Sequence, residues 1–242
     1  MIHEKMCGIT FELSVVTDNN RGKIIMEIDL MKNYPRTKRN PLERGKTKTP
    51  EDRAIARQFG KAFFDGSRDQ GYGGFNYHSR FWEPVIPDFQ KQYHLDQHSS
   101  VLDVGCAKGF MMHDMVKLIP GITVKGIDIS NYAIENTIDS MKLHCQVGCA
   151  TKLPFPDKSF DCVISITTLH NLEKPELIKA LQEIERVKKK YSFITVDGYH
   201  NDEEKERMFA WNLTAKTVLH VDEWKQLFKD VGYTGDYYWF IP

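Results

Sequence analysis

The sequence lacks an excess of either charge: its 242 residues carry 33 lysines and arginines against 33 aspartates and glutamates. No global field therefore draws the chain to nucleic acid or to an anionic membrane, and any such preference has to be local. Cysteine is scarce. Cys7, Cys106, Cys145, Cys149 and Cys162 are scattered and odd in number, which excludes a disulfide framework and points to reduced thiols of a cytoplasmic protein. No apolar run approaches the length of a membrane span, and the opening MIHEKMCGIT has neither the positive n-region nor the apolar stretch of an export signal. Metal ligands at productive spacing are missing as well. His144-Cys145-x-x-x-Cys149 has no second pair, so no metal is expected. Internal repeats are absent, and the length suits one sizeable α/β core rather than two full domains.

What is present falls into three stretches. Residues 1–48 form an N-terminal extension. In it, ITFELSVV and KIIMEIDL, separated by TDNNRG, predict a β-hairpin over residues 9–30. Between Lys32 and Lys48 the basic residues Lys32, Arg36, Lys38, Arg39, Arg44, Lys46 and Lys48 face only Glu43, a composition that predicts a mobile basic linker. Residues 49–99 begin with Thr49-Pro50-Glu51-Asp52, a helix start with Thr49 as N-cap and Asp52 completing a capping box, the helix running to about Phe64. The following FFDGSRDQGYGGFNYHSRFW alternates glycines with Tyr72, Phe75, Tyr77, Phe81 and Trp82, as expected of a loop held by packed aromatic anchors.

Residues 100–242 alternate regularly. Strand VLDV, a helix from Gly109, strand TVKGID, helix NYAIENTIDSM, a strand near CQVG, strand FDCVISI, helix PELIKALQEIERVKKK and strand YSFITVD succeed one another. A polar helix near 201–218, an amphipathic helix DEWKQLFKDVG closed by Gly232, and an aromatic strand YYWFI follow. Strands alternating with helices at this spacing predict an α/β, doubly wound, mostly parallel sheet covered on both faces.

The most informative stretch is VLDVGCAKG, residues 101–109, an apolar strand that breaks into a tight turn opening a helix. Its glycines are spaced G-x-x-x-G, not the G-x-G-x-x-G that seats a pyrophosphate. Asp103 stands at the turn, where a carboxylate repels pyrophosphate but accepts hydrogen bonds from the amino group of an amino-acid moiety. Asp128, 25 positions later, closes the next strand in GIDIS, where an acid can accept both ribose hydroxyls.

Together with GCATKLPFPDKSFDCVISITTLHNL, these motifs resemble the class I S-adenosylmethionine-dependent methyltransferases over roughly residues 100–200. The resemblance implies S-adenosylmethionine as cofactor and S-adenosylhomocysteine as product. It assigns Asp103, Gly105 and Gly109 to the methionine end, Asp128 and Ile129 to ribose and adenine, and the Cys149-Ala150-Thr151 loop to the adenine edge, partly through backbone groups, with Cys106 and Ser165 as further cofactor-binding residues. Two departures stand out: Ala107 replaces a common glycine, and Cys149 replaces a common aspartate.

The chemistry is expected beyond the carboxyl ends of the strands. Transfer from a sulfonium is an in-line displacement driven largely by proximity, with a base needed only when the acceptor must lose a proton. His170, in the loop after the fourth strand, is the first candidate base, with Asp197 and Tyr72 as further catalytic candidates. Tyr77, Arg80, Trp82, Asn171 and Tyr199 are expected to line the acceptor side, and the glycine-aromatic segment to act as a lid. The expected acceptor is a small molecule methylated at oxygen or nitrogen, with neither membrane nor nucleic acid as partner. An RNA or protein methyltransferase is the alternative suggested by the basic stretch, although no Asn-Pro-Pro-Tyr-like tetrapeptide follows the fourth strand. A module that holds the cofactor without turnover is the other.

Overall fold

The computed structural model describes residues 25–36 and 40–242. Three short helices come first: α1 (Pro41–Lys46), α2 (Pro50–Ala56) and α3 (Lys61–Asp65), then α4 (Ile86–Tyr93). The alternating core follows as β1 (Ser100–Val104), α5 (Phe110–Leu118), β2 (Thr123–Asp128), α6 (Asn131–Glu135), β3 (Cys145–Val147), β4 (Phe160–Ile166), α7 (Lys174–Val187) and β5 (Lys188–Tyr199). The chain ends with α8 (Asp202–Trp211), β6 (Leu219–His220), α9 (Val221–Val231) and β7 (Asp236–Phe240).

The strands form one sheet in the order β3-β2-β1-β4-β5, with β6 and β7 sharing the remaining flank of β5. Every pairing between these strands is parallel. Such a sheet must be covered on both faces, and the strands accordingly read as continuous apolar runs: Val101, Leu102, Val104, Val163 and Ile164 are all buried. On one face lie α7 and α9. The buried stripe of α7, Leu177, Ala180, Leu181, Ile184 and Val187, follows the helical period, as do Val221, Trp224, Leu227 and Phe228 of α9. On the other face, Ile86, Phe89 and Tyr93 of α4 and Met111, Met112 and Met115 of α5 pack over Val101, Val124 and Phe193.

Local chemistry explains the termini. Thr49 caps α2 through a full capping box with Asp52, as its sequence predicts. The helix stops at Ala56 instead of reaching Phe64, because Phe59 turns left-handed at φ 49° and Gly60 opens α3 afresh. The stretch 131–141 is also shorter than its pattern: α6 ends at Glu135, where Asn136, Thr137 and Ile138 are poor helix formers and the Ile138 amide is captured by the Lys108 carbonyl at 3.0 Å. The lysines 188–190, expected at the end of a helix, belong to β5. Buried Lys188 is held there by Glu185 and by Thr234 Oγ1 at 2.8 Å.

Within the basic stretch, α1 forms with Asn40 as its N-cap and Pro41 at its first position. Of the predicted hairpin, the first strand and the turn lie outside the described residues. The described part of the second, from Ile25, runs parallel beside β7: the Ile28 amide donates to the Tyr237 carbonyl at 2.9 Å and the Tyr237 amide to the Met26 carbonyl at 3.1 Å. Among the described residues no helix is long and apolar enough to cross a membrane.

Candidate functional site

β1 and β2 lie side by side at the centre of the sheet, so their carboxyl ends bring Asp103 and Asp128 to the same edge. The turn after β1 is stitched to the end of β2, since the amides of Gly105 and Cys106 both donate to the Ile127 carbonyl, at 2.7 and 3.1 Å. Gly105 stands at φ 92°, and a Cβ there would lie 2.0 Å from Thr168 Oγ1, so no other residue fits. Gly109, at φ 77°, opens α5. Between them Ala107 takes φ 48°, a left-handed conformation that accounts for glycine being common at this position of the resembled family.

Asp103 is buried, and among the described residues no donor reaches its carboxyl group. Burial, followed by the neighbouring Cys145 and Asp128, pushes its pKa well above the carboxylate range. A buried acid without a donor suits a cationic partner, which the amino group of a methionine moiety supplies. Asp128 is different. Its Oδ2 accepts from the Ala107 amide and its Oδ1 from the Ser130 amide, both at 2.8 Å, which fixes the carboxylate and leaves further lone pairs for a ribose. Ile129, the next residue, is 58% exposed, an apolar side chain standing free beside the acid. The loop carrying Ala150 and Thr151 is closed by a bridge between Cys149 and Lys152, with Cys149 Sγ 3.0 Å from Thr151 Oγ1. These residues fit the adenosine and methionine ends of S-adenosylmethionine.

Other expected cofactor residues are placed differently. Ser165 is fully buried and spends its hydroxyl on the Val104 carbonyl at 2.8 Å, so it faces the core and not a ligand. The Cys106 side chain is buried against Gly126, and its carbonyl accepts from the Gly109 amide at 2.8 Å. The Cys145 thiol, and then burial, raise the Cys106 pKa well above its ordinary value, which excludes a reactive thiolate.

A buried ion pair that the sequence reading did not foresee secures the turn, beneath the aromatic segment it did expect. Lys108, inside the turn, is buried with its ammonium 2.7 Å from Asp65 Oδ2 and 2.9 Å from the Phe75 carbonyl. Asp65 also accepts from Tyr132 Oη at 2.7 Å and from the Phe75 amide at 2.9 Å. Burial opposes its charge, but the bonds from Lys108, Tyr132 and Phe75 outweigh that and hold its pKa at about 2. Above them sits an aromatic layer: Tyr72 and Phe75 are 4.4 Å apart, Phe75 stacks on Phe110 at 5.0 Å, and Phe64 on Tyr132 at 6.3 Å. The Tyr72 hydroxyl lies within the field of the Asp128 carboxylate. A second seam joins α2 to the end of α8, where Lys48, Arg53 and Arg57 donate to the carbonyls of Trp211, Asn212 and Thr214.

On the acceptor side the structure corrects several expectations. His170 is buried, and its Nδ1 accepts from the Asp197 amide at 3.0 Å. Burial lowers its pKa to about 3 and raises that of Asp197 to about 7. The 3.3 Å approach of Nδ1 to Asp197 Oδ1 is therefore not an ion pair, and His170, uncharged and with Nδ1 taken by the Asp197 amide, is not poised as a base. Asn171 lies beside them with Nδ2 directed to the Thr167 carbonyl at 3.4 Å and a buried Oδ1 that has no partner among the described residues. Tyr199 packs edge-on against His220 at 5.6 Å, under Lys205.

The segment from Tyr77 to Glu83 runs along α5, away from the strand ends. Tyr77 bonds Asp114 Oδ1 at 2.5 Å in the second turn of that helix, and Glu83 pairs with Lys117 at 2.6 Å near its end. Arg80 is exposed over the Phe81 ring, and Trp82 packs against Tyr34 at 5.1 Å. Tyr77, Arg80 and Trp82 thus anchor the segment and are displaced from the acceptor side. The signal that the sequence offered for Asp65 was weak: one carboxylate among several in a polar run.

An open parallel sheet with a left-handed turn after β1, a buried acid at its mouth and a second acid closing β2 is the arrangement expected of the resembled class I, Rossmann-like methyltransferases. Residues 101–191 match the family described as "Methyltransferase domain". It is 36% identical over 121 residues to sterol 24-C-methyltransferase ERG6B of Gibberella zeae, covering 44% of this chain and 31% of that protein. It is 31% identical over 116 residues to demethylmenaquinone methyltransferase of Symbiobacterium thermophilum, 45% of each chain. Among solved structures, the YcgJ protein of Bacillus subtilis is similar with a TM-score of 0.49 and 21% identity, over 60% of this chain and 66% of that one. The chain spans less than half the length of these two curated relatives.

Proposed function

We propose that this chain binds S-adenosylmethionine and transfers its methyl group to an oxygen or nitrogen of a small-molecule acceptor, in the cytoplasm. The observation that carries the reading is the pairing of Asp103, buried and without a donor among the described residues, with the fixed carboxylate of Asp128 one strand away. The cofactor supplies an electrophilic methyl on a good leaving group. The protein's part is to hold and orient: Asp103 receives the amino group, Asp128 the ribose hydroxyls, and Ile129 with the loop at Ala150 and Thr151 flanks the adenine. Tyr72, itself exposed, and half-buried Phe75 lie 4.4 Å apart as the aromatic layer over the site, and closing that layer on a bound ligand would strengthen the polar contacts beneath it.

With His170 neutral and enclosed, the reading assigns catalysis to proximity and in-line orientation. An acceptor that is already nucleophilic needs no base from the chain. Tyr72, whose hydroxyl shares the Asp128 side of the site, and Asn171, with its unpartnered Oδ1, are the side chains proposed to meet the acceptor. Balanced charge supports a small acceptor over a nucleic acid, and the two curated relatives are named for a sterol and for demethylmenaquinone. The test is transfer of labelled methyl from S-adenosylmethionine into a metabolite extract, with the products separated by mass. Label in a small metabolite is the expected result; label confined to RNA or protein, or none at all, rejects the assignment.

A further inference from the structure

The turn that would cradle the cofactor is secured from outside the methyltransferase domain. Lys108 lies between two left-handed residues, Ala107 and Gly109, and is 6% exposed. An ammonium so enclosed needs charged or polar partners. Among the described residues its two hydrogen-bond partners, Asp65 Oδ2 and the Phe75 carbonyl, come from residues 61–75, whereas the family match begins at residue 101; the Tyr132 ring faces it at 5.8 Å. Asp65 in turn bonds Tyr132, on the helix that follows Asp128 and Ser130. One carboxylate thereby holds the loop after β1, the loop after β2 and the aromatic segment above both.

The segment is folded on itself. The Tyr72 amide donates to the Phe63 carbonyl at 2.9 Å and the Gly74 amide to that of Phe64 at 3.1 Å, and Ser130 Oγ donates to the Phe59 carbonyl. With its ring contacts to Tyr132 and Phe110, it behaves as one body resting on the two loops, joined to them by the Asp65 and Lys108 pair.

We propose that Asp65 is a positioning residue of the cofactor site: it seats Lys108, fixes the turn between Gly105 and Gly109, and makes residues 61–75 a required wall that must part when the nucleoside leaves. The proposal rests on the methyltransferase reading and adds a component that the domain itself does not contain. It predicts that binding the nucleoside and ordering this segment are one event.

The test uses the full chain and S-adenosylhomocysteine as probe, with calorimetry, dissociation kinetics and hydrogen exchange over residues 61–76. In the unaltered protein, exchange in that window should slow on binding. Asp65→Ala and Lys108→Met should each weaken binding at least tenfold, chiefly through faster dissociation, and the double variant should be no weaker than the worse single one, because the two side chains act as a unit. Lys108→Arg, which keeps the ion pair, should fold and restore most of the affinity. Affinity within twofold of the original in folded Asp65→Ala, losses that multiply in the double variant, or exchange over 61–76 indifferent to the nucleoside would each overturn the proposal while leaving the methyltransferase reading intact. Failure of the unaltered chain to bind S-adenosylhomocysteine would overturn both.

Discussion

The Ala107 amide donates to Asp128 Oδ2 at 2.8 Å while Ala107 itself is held at φ 48°. A strained residue and the acid that closes β2 are therefore tied in one bond. The left-handed conformation costs an L-residue roughly 1–2 kcal/mol, and glycine avoids that at the expense of a floppier unfolded chain. Ala107→Gly should accordingly stabilise the fold by up to about 1 kcal/mol, a rise of about 2–4 °C in the thermal midpoint for a chain of this size. A fall in the midpoint would mean that the alanine methyl makes packing contacts worth more than the strain.

Asp128 serves the fold as well as the proposed ligand. Asp128→Ala should weaken S-adenosylhomocysteine binding by about 1.5–3 kcal/mol through loss of charge-assisted bonds. It should also lower stability, by about 1 kcal/mol for each of the two amides, from Ala107 and Ser130, that lose an acceptor. Calorimetry on the folded fraction and a denaturant titration separate the effects. Unchanged affinity in the folded variant would remove Asp128 from the site.

Gly105 allows no side chain. The clash of an added Cβ with Thr168, together with φ 92°, should make Gly105→Ala lose about 3 kcal/mol, from overpacking and backbone strain combined. Adding Thr168→Ala should recover part of the loss, since two of the three clashing atoms, Oγ1 and Cγ2, disappear. A denaturant midpoint unaffected by the second change would show that the conformation alone sets the cost.

His170 and Asp197 should give opposing pH dependences. His170 binds a proton more readily unfolded, at its ordinary 6.5, than folded, at about 3, so its contribution is lost as pH falls from about 6.5 toward 3. Asp197 keeps its proton in the fold up to about 7 but releases it near 3.8 when unfolded, so its contribution is present below 3.8 and lost as pH rises toward 7. Between 3.8 and 6.5 the slopes cancel. Asp197→Asn should unmask a stability that rises with pH across this window, and His170→Gln one that falls, each by at most about 1.4 kcal/mol per pH unit. Denaturant midpoints at several pH values read the slopes. Slopes of the same sign in both variants would refute the assignment of the two protonation states.

Much of the core was legible because its signals are local. The apolar runs of β1 and β4, the capping box at Thr49 and the closing Gly232 of α9 each announce themselves within a few residues. The two acids at the strand ends were legible for the same reason: both sit where an apolar run breaks. The bond from Lys108 to Asp65 spans 43 positions, and nothing in GCAKG shows that its lysine is buried or what neutralises it. His170 misled in the opposite way. Its loop position suggested catalysis, and only the packing around it reveals that its environment keeps the imidazole uncharged. Tyr77, Arg80 and Trp82 looked like lining because aromatics and glycines alternate there, but the direction in which the segment leaves the strand ends is set by Asp114 and Lys117 of α5.

One flank of β5 is divided between two partners. Phe193 to Asp197 pair with β7, and Gly198 and Tyr199 with β6. The excursion from His200 to Val218 thus departs from, and comes home to, the same rung of the ladder, and closing such a loop costs little more when it is lengthened. The excursion is nonetheless tied inward, with Met208 fully buried and the amides of Lys216 and Thr217 donating to the His170 carbonyl at 2.9 and 3.0 Å, so any added length is borne by the loop after β4 and not by the rungs that carry Asp103 and Asp128.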